Sequence, residues 1–167
     1  EGVIKGKSEL YDYLISSSGF VFYNSDDKKQ NKILSKYTNK FGFSQKEADF
    51  KYTVISENPN IILNAKNTTI ESTLFGSYNI QNIVSAISIG SYFGIGIEKI
   101  KEGVYNYIPS NNRSQIVKKS SNKIVLDAYN ANPTSMTLAI KSFDKSDLKN
   151  QILILGDMYE LGKEQNK

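Results

Sequence analysis

The chain contains no cysteine, no histidine and no tryptophan in 167 residues. Without cysteine there is no disulfide framework and no thiolate metal site. Without histidine there is no imidazole ligand and no Ser-His or Cys-His nucleophile pair. Any metal bound here would be a hard cation held by oxygen atoms. Proline is scarce, with 3 residues. Arginine is rarer still, because Arg113 is the single one and every other basic side chain is lysine. No apolar run approaches the ~18 residues of a membrane span, and no signal-peptide pattern is present. A cytoplasmic location is therefore expected.

The composition that remains is that of a soluble globular chain, with 39% hydrophobic and 23% charged residues. This length supports one solid core or two small ones. The net charge of +4 comes from 21 Lys+Arg against 17 Asp+Glu. The lysines are scattered, which suits a solvated surface better than a nucleic-acid groove. The chain opens at Glu1 inside a helix-like pattern and stops at "ELGKEQNK", where a new helix begins. Both ends read as cut, so a fragment is expected.

Periodicity divides the chain. "SELYDYLISS" places Leu10, Tyr13 and Leu14 on one helical face, with Ser8 near the start. "GFVFYNS" reads as a buried-type strand, and "DDKKQNKILSKYT" as a surface helix with acids at its dipole-favoured N-terminus. Residues 39–75 hold β-leaning runs separated by turns, and a small antiparallel set is expected there. The period then becomes helical. Ile80, Ile83, Val84 and Ile87 share one face, and Ile97, Ile100 and Val104 another. "IPSNN", residues 108–112, is a linker by composition. After it, strands at 114–118 and 124–127, a helix from Pro133 to Phe143 and the strand "QILILG" spell a βαβ unit with a parallel sheet.

The stretch "IVLDAYNANPTSM" carries the most chemistry. Asn132 before Pro133 is a helix start, so residues 128–131 form a tight strand-to-helix loop. Asp127 then sits at the carboxyl end of a strand, where open parallel sheets place ligands and where a carboxylate can accept two hydroxyls. The plainer alternative is that Asp127 and Asn130 satisfy loop amides. "ILILGDMYELG" repeats the theme at Asp157. Two adjacent parallel strands would aim Asp127 and Asp157 at one crevice, whereas a Gly-Asp turn explains Asp157 alone. Asn79 and Asn82 lie three apart at a helix start, where Asn79 could cap the helix or both amides could read an adenine edge. Arg113 offers the planar fork of donors suited to phosphate, or a surface salt bridge. "GVIKGKSE" approaches a phosphate loop but is one residue short and has Glu1 where the first glycine belongs, so it is rejected as one.

"LDAYNANPTSM", "ILILGDMYELGKE", "GSYNIQNIVSAISIG" and "EGVIKGKSELYDYL" together resemble segments of the Mur ligases, in the family's order. The resemblance implies an α/β fold: the back part of a Mur ligase central domain, residues 1–107, followed by the first part of a Rossmann-like C-terminal domain, residues 108–167. It implies ATP-dependent amide-bond formation through an acyl phosphate. Its implied substrates are UDP-N-acetylmuramoyl-tripeptide and D-Ala-D-Ala, with ATP and Mg²⁺ required and a monomer expected. Lys7 would carry a carbamate that helps hold Mg²⁺, Asn79 and Asn82 would face adenine, Arg113 the phosphates and Asp127 the ribose. Tyr129 and Asn130 would line the same crevice, and Asp157 and Glu160 would lie near the incoming amine. Tyr78 stands where many members carry histidine. The family's phosphate loop and its other metal ligands would precede Glu1, so the fragment alone is expected to be inactive. Two rival readings are a folylpolyglutamate-synthetase-like ligase, against which the Tyr-Asn-Ala-Asn-Pro segment argues, and a non-catalytic nucleotide-binding or interaction module.

Overall fold

The computed structural model describes residues 2–58, 60–146, 148–159 and 161. Glu160 and the segment 162–167, on which a substrate-side acid and a further helix were expected, lie outside the described residues.

Helix α1 (Gly2–Ser16) starts earlier than its amphipathic pattern suggests, so Ser8 is internal and its Oγ bonds back to the Ile4 carbonyl at 2.8 Å. The helix does not bury its apolar face: Leu10 is 61% and Tyr13 67% exposed. Strand β1 (Val21–Asn24) follows, then α2 (Lys28–Ile33). Asp27 caps α2 by accepting from the amides of Lys29 and Gln30, as an acid at a helix start should. The helix is only six residues long, shorter than the run that suggested it.

Strands β2 (Lys40–Ser44), β3 (Phe50–Ser56), β4 (Ile61–Ala65) and β5 (Thr68–Ser72) complete a five-stranded sheet in the order β1-β2-β3-β4-β5. Within 39–75 the expected antiparallel set holds for β3–β4 and β4–β5, but β2–β3 is parallel; β1, outside that range, pairs parallel with β2 as well. The β2–β3 contact spans just Phe43–Phe50 and Ser44–Lys51, so β3 starts where β2 ends instead of folding back along it. The β4–β5 hairpin turns through Lys66 (φ 49°) and Asn67 (φ 60°), the doubly left-handed two-residue turn that matches strand twist.

A short 3₁₀ turn, Ser77–Asn79, leads into α3 (Ile80–Tyr92), and α4 (Ile97–Asn106) follows. Ile80, Ile83, Val84 and Ile87 of α3 are buried as their spacing requires, and Ile100 of α4 joins them. They pack on Phe43, Phe50, Tyr52, Ile61, Leu63 and Ile70 to form one core.

Beyond the linker, β6 (Gln115–Lys119) and β7 (Asn122–Leu126) form an antiparallel ribbon, and α5 (Pro133–Asp144) follows. Asn132 caps α5 reciprocally with Ser135, and Pro133 occupies the first turn, as the sequence indicates. The expected strand "QILILG" does not form: residues 151–159 have no ladder, and Ile152 (80%) and Ile154 (91%) face solvent. A strand exists only through a paired neighbour, and β7 pairs with β6 alone among the described residues. Asp127 and Asp157 are therefore not brought together by adjacent strands.

Candidate functional site

The start of α3 and the end of β7 meet in a polar cluster. Tyr78, from the 3₁₀ turn, donates its hydroxyl to Asp127 Oδ2 at 3.0 Å. The Ser114 amide donates to Asp127 Oδ1 at 3.1 Å. Tyr78 Oη and Ser114 Oγ lie 2.8 Å apart. Asn79 Nδ2 donates to Ser114 Oγ and to the Phe75 carbonyl, each at 2.8 Å. Asn82 Nδ2 then donates to Asn79 Oδ1 at 3.2 Å. Residues more than thirty positions apart in the chain are thus joined side chain to side chain.

Local backbone makes this possible. Gly76, at φ 89°, turns the chain into the 3₁₀ segment, and a Cβ there would collide with the Tyr78 ring. Ser114 is 3% exposed and sits at φ 50°, a left-handed conformation uncommon for serine. It follows Asn112, also left-handed at φ 55°, and the Ala128 amide bonds to the Asn112 carbonyl at 2.8 Å. These bonds hold the entry to β6 against the exit from β7.

The hydrogen-bond directions are determined. Tyr78 spends its one proton on the Asp127 carboxylate. Ser114 Oγ must therefore donate to Tyr78 Oη, and its lone pairs accept from Asn79. That fixes the Asn79 amide, with nitrogen toward Ser114 and oxygen toward Asn82. The Tyr78 phenol is pushed up to about 12, first by burial; the Ser114 hydroxyl acts in the opposite direction and the Asp127 charge adds to the rise.

Arg113 projects outward beside this cluster, its guanidinium 3.8 Å from the centre of the Tyr129 ring. Asn130 is exposed in the same loop. Asn79 does not cap α3 with its side chain, so the capping alternative is set aside. Nor does it offer a free edge to a base, since it is buried and both ends of its amide are engaged. Asn82, held by Asn79, is exposed and keeps its Oδ1 and second N–H. It stands at the rim of a groove of about 490 Å³ between α3 and α4, floored by Leu74, Ile83 and Ile100.

Asp127 does accept a backbone amide, as the plainer reading held, but it also accepts Tyr78 from across the structure. Asp157 is exposed, with Tyr159 Oη at 3.4 Å, and no hydrogen bond among the described residues ties it to the cluster. Lys7 is exposed on α1, remote in the chain from the rest. Among the described residues no group of three or more His, Cys, Asp or Glu could hold a metal ion. A carbamate on Lys7 would supply one side chain's oxygens toward a cation that needs about six ligands, so these residues do not by themselves make a Mg²⁺ site.

Comparison with known proteins agrees with the fold. Residues 1–90 match the Mur ligase middle domain, and residues 112–167 match the domain described as "Mur ligase, glutamate ligase domain". The chain belongs to the Mur ligase family, a family of ligases. It is 30% identical over 167 residues to UDP-N-acetylmuramoyl-tripeptide–D-alanyl-D-alanine ligase of Bacillus subtilis, covering 97% of this chain and 36% of that protein. Crystal structure II of MurF from Acinetobacter baumannii superposes with a TM-score of 0.68 at 25% identity, over 85% of this chain and 32% of that one. MurF of Thermotoga maritima in complex with ADP shares the fold, with a TM-score of 0.60 at 18% identity over 75% of this chain and 30% of that one. The chain therefore spans about a third of the length of these relatives.

Proposed function

We propose that these residues belong to an ATP-dependent ligase that joins D-Ala-D-Ala to UDP-N-acetylmuramoyl-tripeptide in peptidoglycan precursor synthesis, in the cytoplasm. The family and the similarity to the Bacillus enzyme support the reaction class and its substrates. The single observation that supports nucleotide binding is the union of Asp127 with the start of α3 in one polar cluster beside Arg113. In this reading Asp127 accepts the ribose hydroxyls, and the free edge of Asn82 meets the adenine at the mouth of the α3–α4 groove. Arg113 pairs with phosphate oxygens, and the ring of Tyr129 holds its fork in place. Asn79 acts at one remove, by orienting Asn82. Tyr129 and Asn130 line the approach, Asp157 and Glu160 are assigned to the amine side, and Lys7 is assigned as a carbamate ligand.

The chemistry is acyl transfer. The tripeptide carboxylate attacks the γ-phosphorus of ATP and the bond to ADP breaks. The dipeptide amine then attacks the acyl carbon and phosphate leaves as the amide forms. Arg113 offsets charge on the transferring group, which in such reactions is the main task left to the protein. We divide the chain at the linker, residues 1–107 as the partial central domain and 108–167 as the partial C-terminal domain, with 108–112 as the hinge on which the second closes over ATP.

The test is Asp127→Ala in the full-length gene product. Loss of hydrogen bonds to a charged group predicts a ten- to hundredfold weaker affinity for ATP, roughly 1.5–3 kcal/mol. Unchanged affinity by calorimetry would leave Asp127 as a loop-stabilising residue only.

A further inference from the structure

Asp127 is held in a closed ring of hydrogen bonds. Its Oδ1 accepts the Ser114 amide at 3.1 Å and its Oδ2 accepts Tyr78 at 3.0 Å, and Ser114 Oγ closes the ring to Tyr78 at 2.8 Å. We propose that Tyr78 and Ser114 are positioning residues that fix the plane of the Asp127 carboxylate and thereby make the site selective for a vicinal diol. The proposal rests on the reading of Asp127 as the ribose acceptor.

A carboxylate has about four lone-pair positions. One donor on each oxygen leaves one position free on each, which is the pair a diol requires. A carboxylate bonded at one oxygen could still turn about its last torsion, and one bonded at both cannot turn without breaking a bond. Fixing the acceptor beforehand removes an ordering cost from binding, so the gain appears as affinity for the group it faces. The ring is also anchored. Asn79 Nδ2 donates to Ser114 Oγ at 2.8 Å, and Asn79 Oδ1 receives Asn82 at 3.2 Å. The same bonds therefore set the distance from Asp127 to Asn82, the residue assigned to the base.

Two further features point to position and not to packing. Ser114 keeps a left-handed backbone at φ 50° while almost fully buried. Such strain persists where surrounding bonds over-determine it, and it concentrates at sites that must be rigid. The Tyr78 proton is also secure through the neutral range, since burial pushes the phenol up to about 12. The donor to Asp127 is thus present throughout the neutral range.

The experiment compares ADP with 2′,3′-dideoxy-ADP by calorimetry on the full-length gene product, as wild type, Tyr78→Phe, Ser114→Ala and Asp127→Ala. Tyr78→Phe keeps the ring that packs over Gly76, so folding is preserved, and a melt confirms it. The expected result is about tenfold weaker ADP binding in Tyr78→Phe with dideoxy-ADP unchanged, and a smaller shift of the same kind in Ser114→Ala, which retains its amide. Equal weakening of both nucleotides would make Tyr78 a merely structural residue and overturn the proposal. Tighter ADP binding would make Tyr78 a competitor for the carboxylate, and unchanged binding would show no positioning; either also overturns it. The Asp127→Ala arm keeps the two ideas apart. If Asp127→Ala weakens ADP no more than dideoxy-ADP, the ribose reading itself has failed. If it weakens ADP selectively and Tyr78→Phe does not, only the positioning role has.

Discussion

Tyr78 can be tested without any ligand. In an unfolded chain tyrosine ionises near pH 10, whereas the folded Tyr78 holds its proton to about 12. Between these values the unfolded state releases a proton that the folded state keeps, so stability falls as pH rises. The contribution is full below pH 10 and disappears as pH climbs through about 12. Tyr11, Tyr23 and Tyr52 are raised too, mainly by burial, so the slope does not belong to Tyr78 alone. Denaturant unfolding at pH 9, 10 and 11 is expected to show a shallower alkaline loss in Tyr78→Phe than in wild type, and parallel slopes would refute the assignment. At this scale the sequence was partly readable. Asp127, Asn79, Asn82 and Arg113 stand out because their chemistry is specific and their places next to strand and helix ends are visible. Ser114 does not, because serine is common and its role exists only through Tyr78, Asn79 and Asp127, which are distant in the chain. The two amides differ in use for the same reason: tertiary contacts occupy Asn79 and leave Asn82 an edge.

Among the elements, those with a strong period or a chemical start signal could be read. The apolar spacing located α3 and α4, and Asn132-Pro133 located the start of α5 to the residue. Strand direction could not be read, since alternation along a strand says which face is buried but not which way its neighbour runs. Hence the parallel β1–β2–β3 half of the sheet was missed, while the antiparallel half was expected. The "QILILG" run shows the converse limit: its composition favours a strand, but pairing decides whether one forms. The cap of α5 gives a clean prediction. The Asn132 side chain accepts from the Ser135 amide at 2.9 Å, and Ser135 Oγ accepts from the Asn132 amide at 3.3 Å. Asn132→Ala leaves the Ser135 amide unpaired and is expected to destabilise α5 by about 1 kcal/mol, while Asn132→Asp should be close to neutral. Helix-region amide exchange would register this as faster opening of α5, with the exchange of α3 unaltered.

Across the whole molecule, stability is unevenly spread. Every member of the hydrophobic core cluster lies between Phe43 and Ile100, in the sheet, the two helices that cover it and, at Leu74, the link between them. Among the described residues, the part after the linker adds none. Its buried residues Ser114, Ser142 and Ser146 are polar, and Ile152, Leu153, Ile154 and Leu155 are exposed. It is held to the first part by the Tyr78–Ser114–Asp127 ring, by Asn79 on Ser114, by Ser77 beside Ser142 and by Phe75 against Phe143 with ring centres 6.4 Å apart. A two-stranded ribbon alone is at best marginally stable, and the described residues of this part add no buried apolar side chain to it. Opening of the second part should therefore cost much less free energy than opening of the first. In native-state hydrogen exchange of this 167-residue chain, the amides of β4 and α3 are expected to be the slowest. Those of β6, β7 and α5 should exchange together and at least tenfold faster, through an opening that leaves the core intact. Added ADP should slow the second group selectively, because a ligand that bridges Asn82, Arg113 and Asp127 binds only the docked form. Uniform exchange over both parts would mean that the polar ring couples them into one cooperative unit. That outcome would also require closure over a nucleotide to bend the linker without parting the ring.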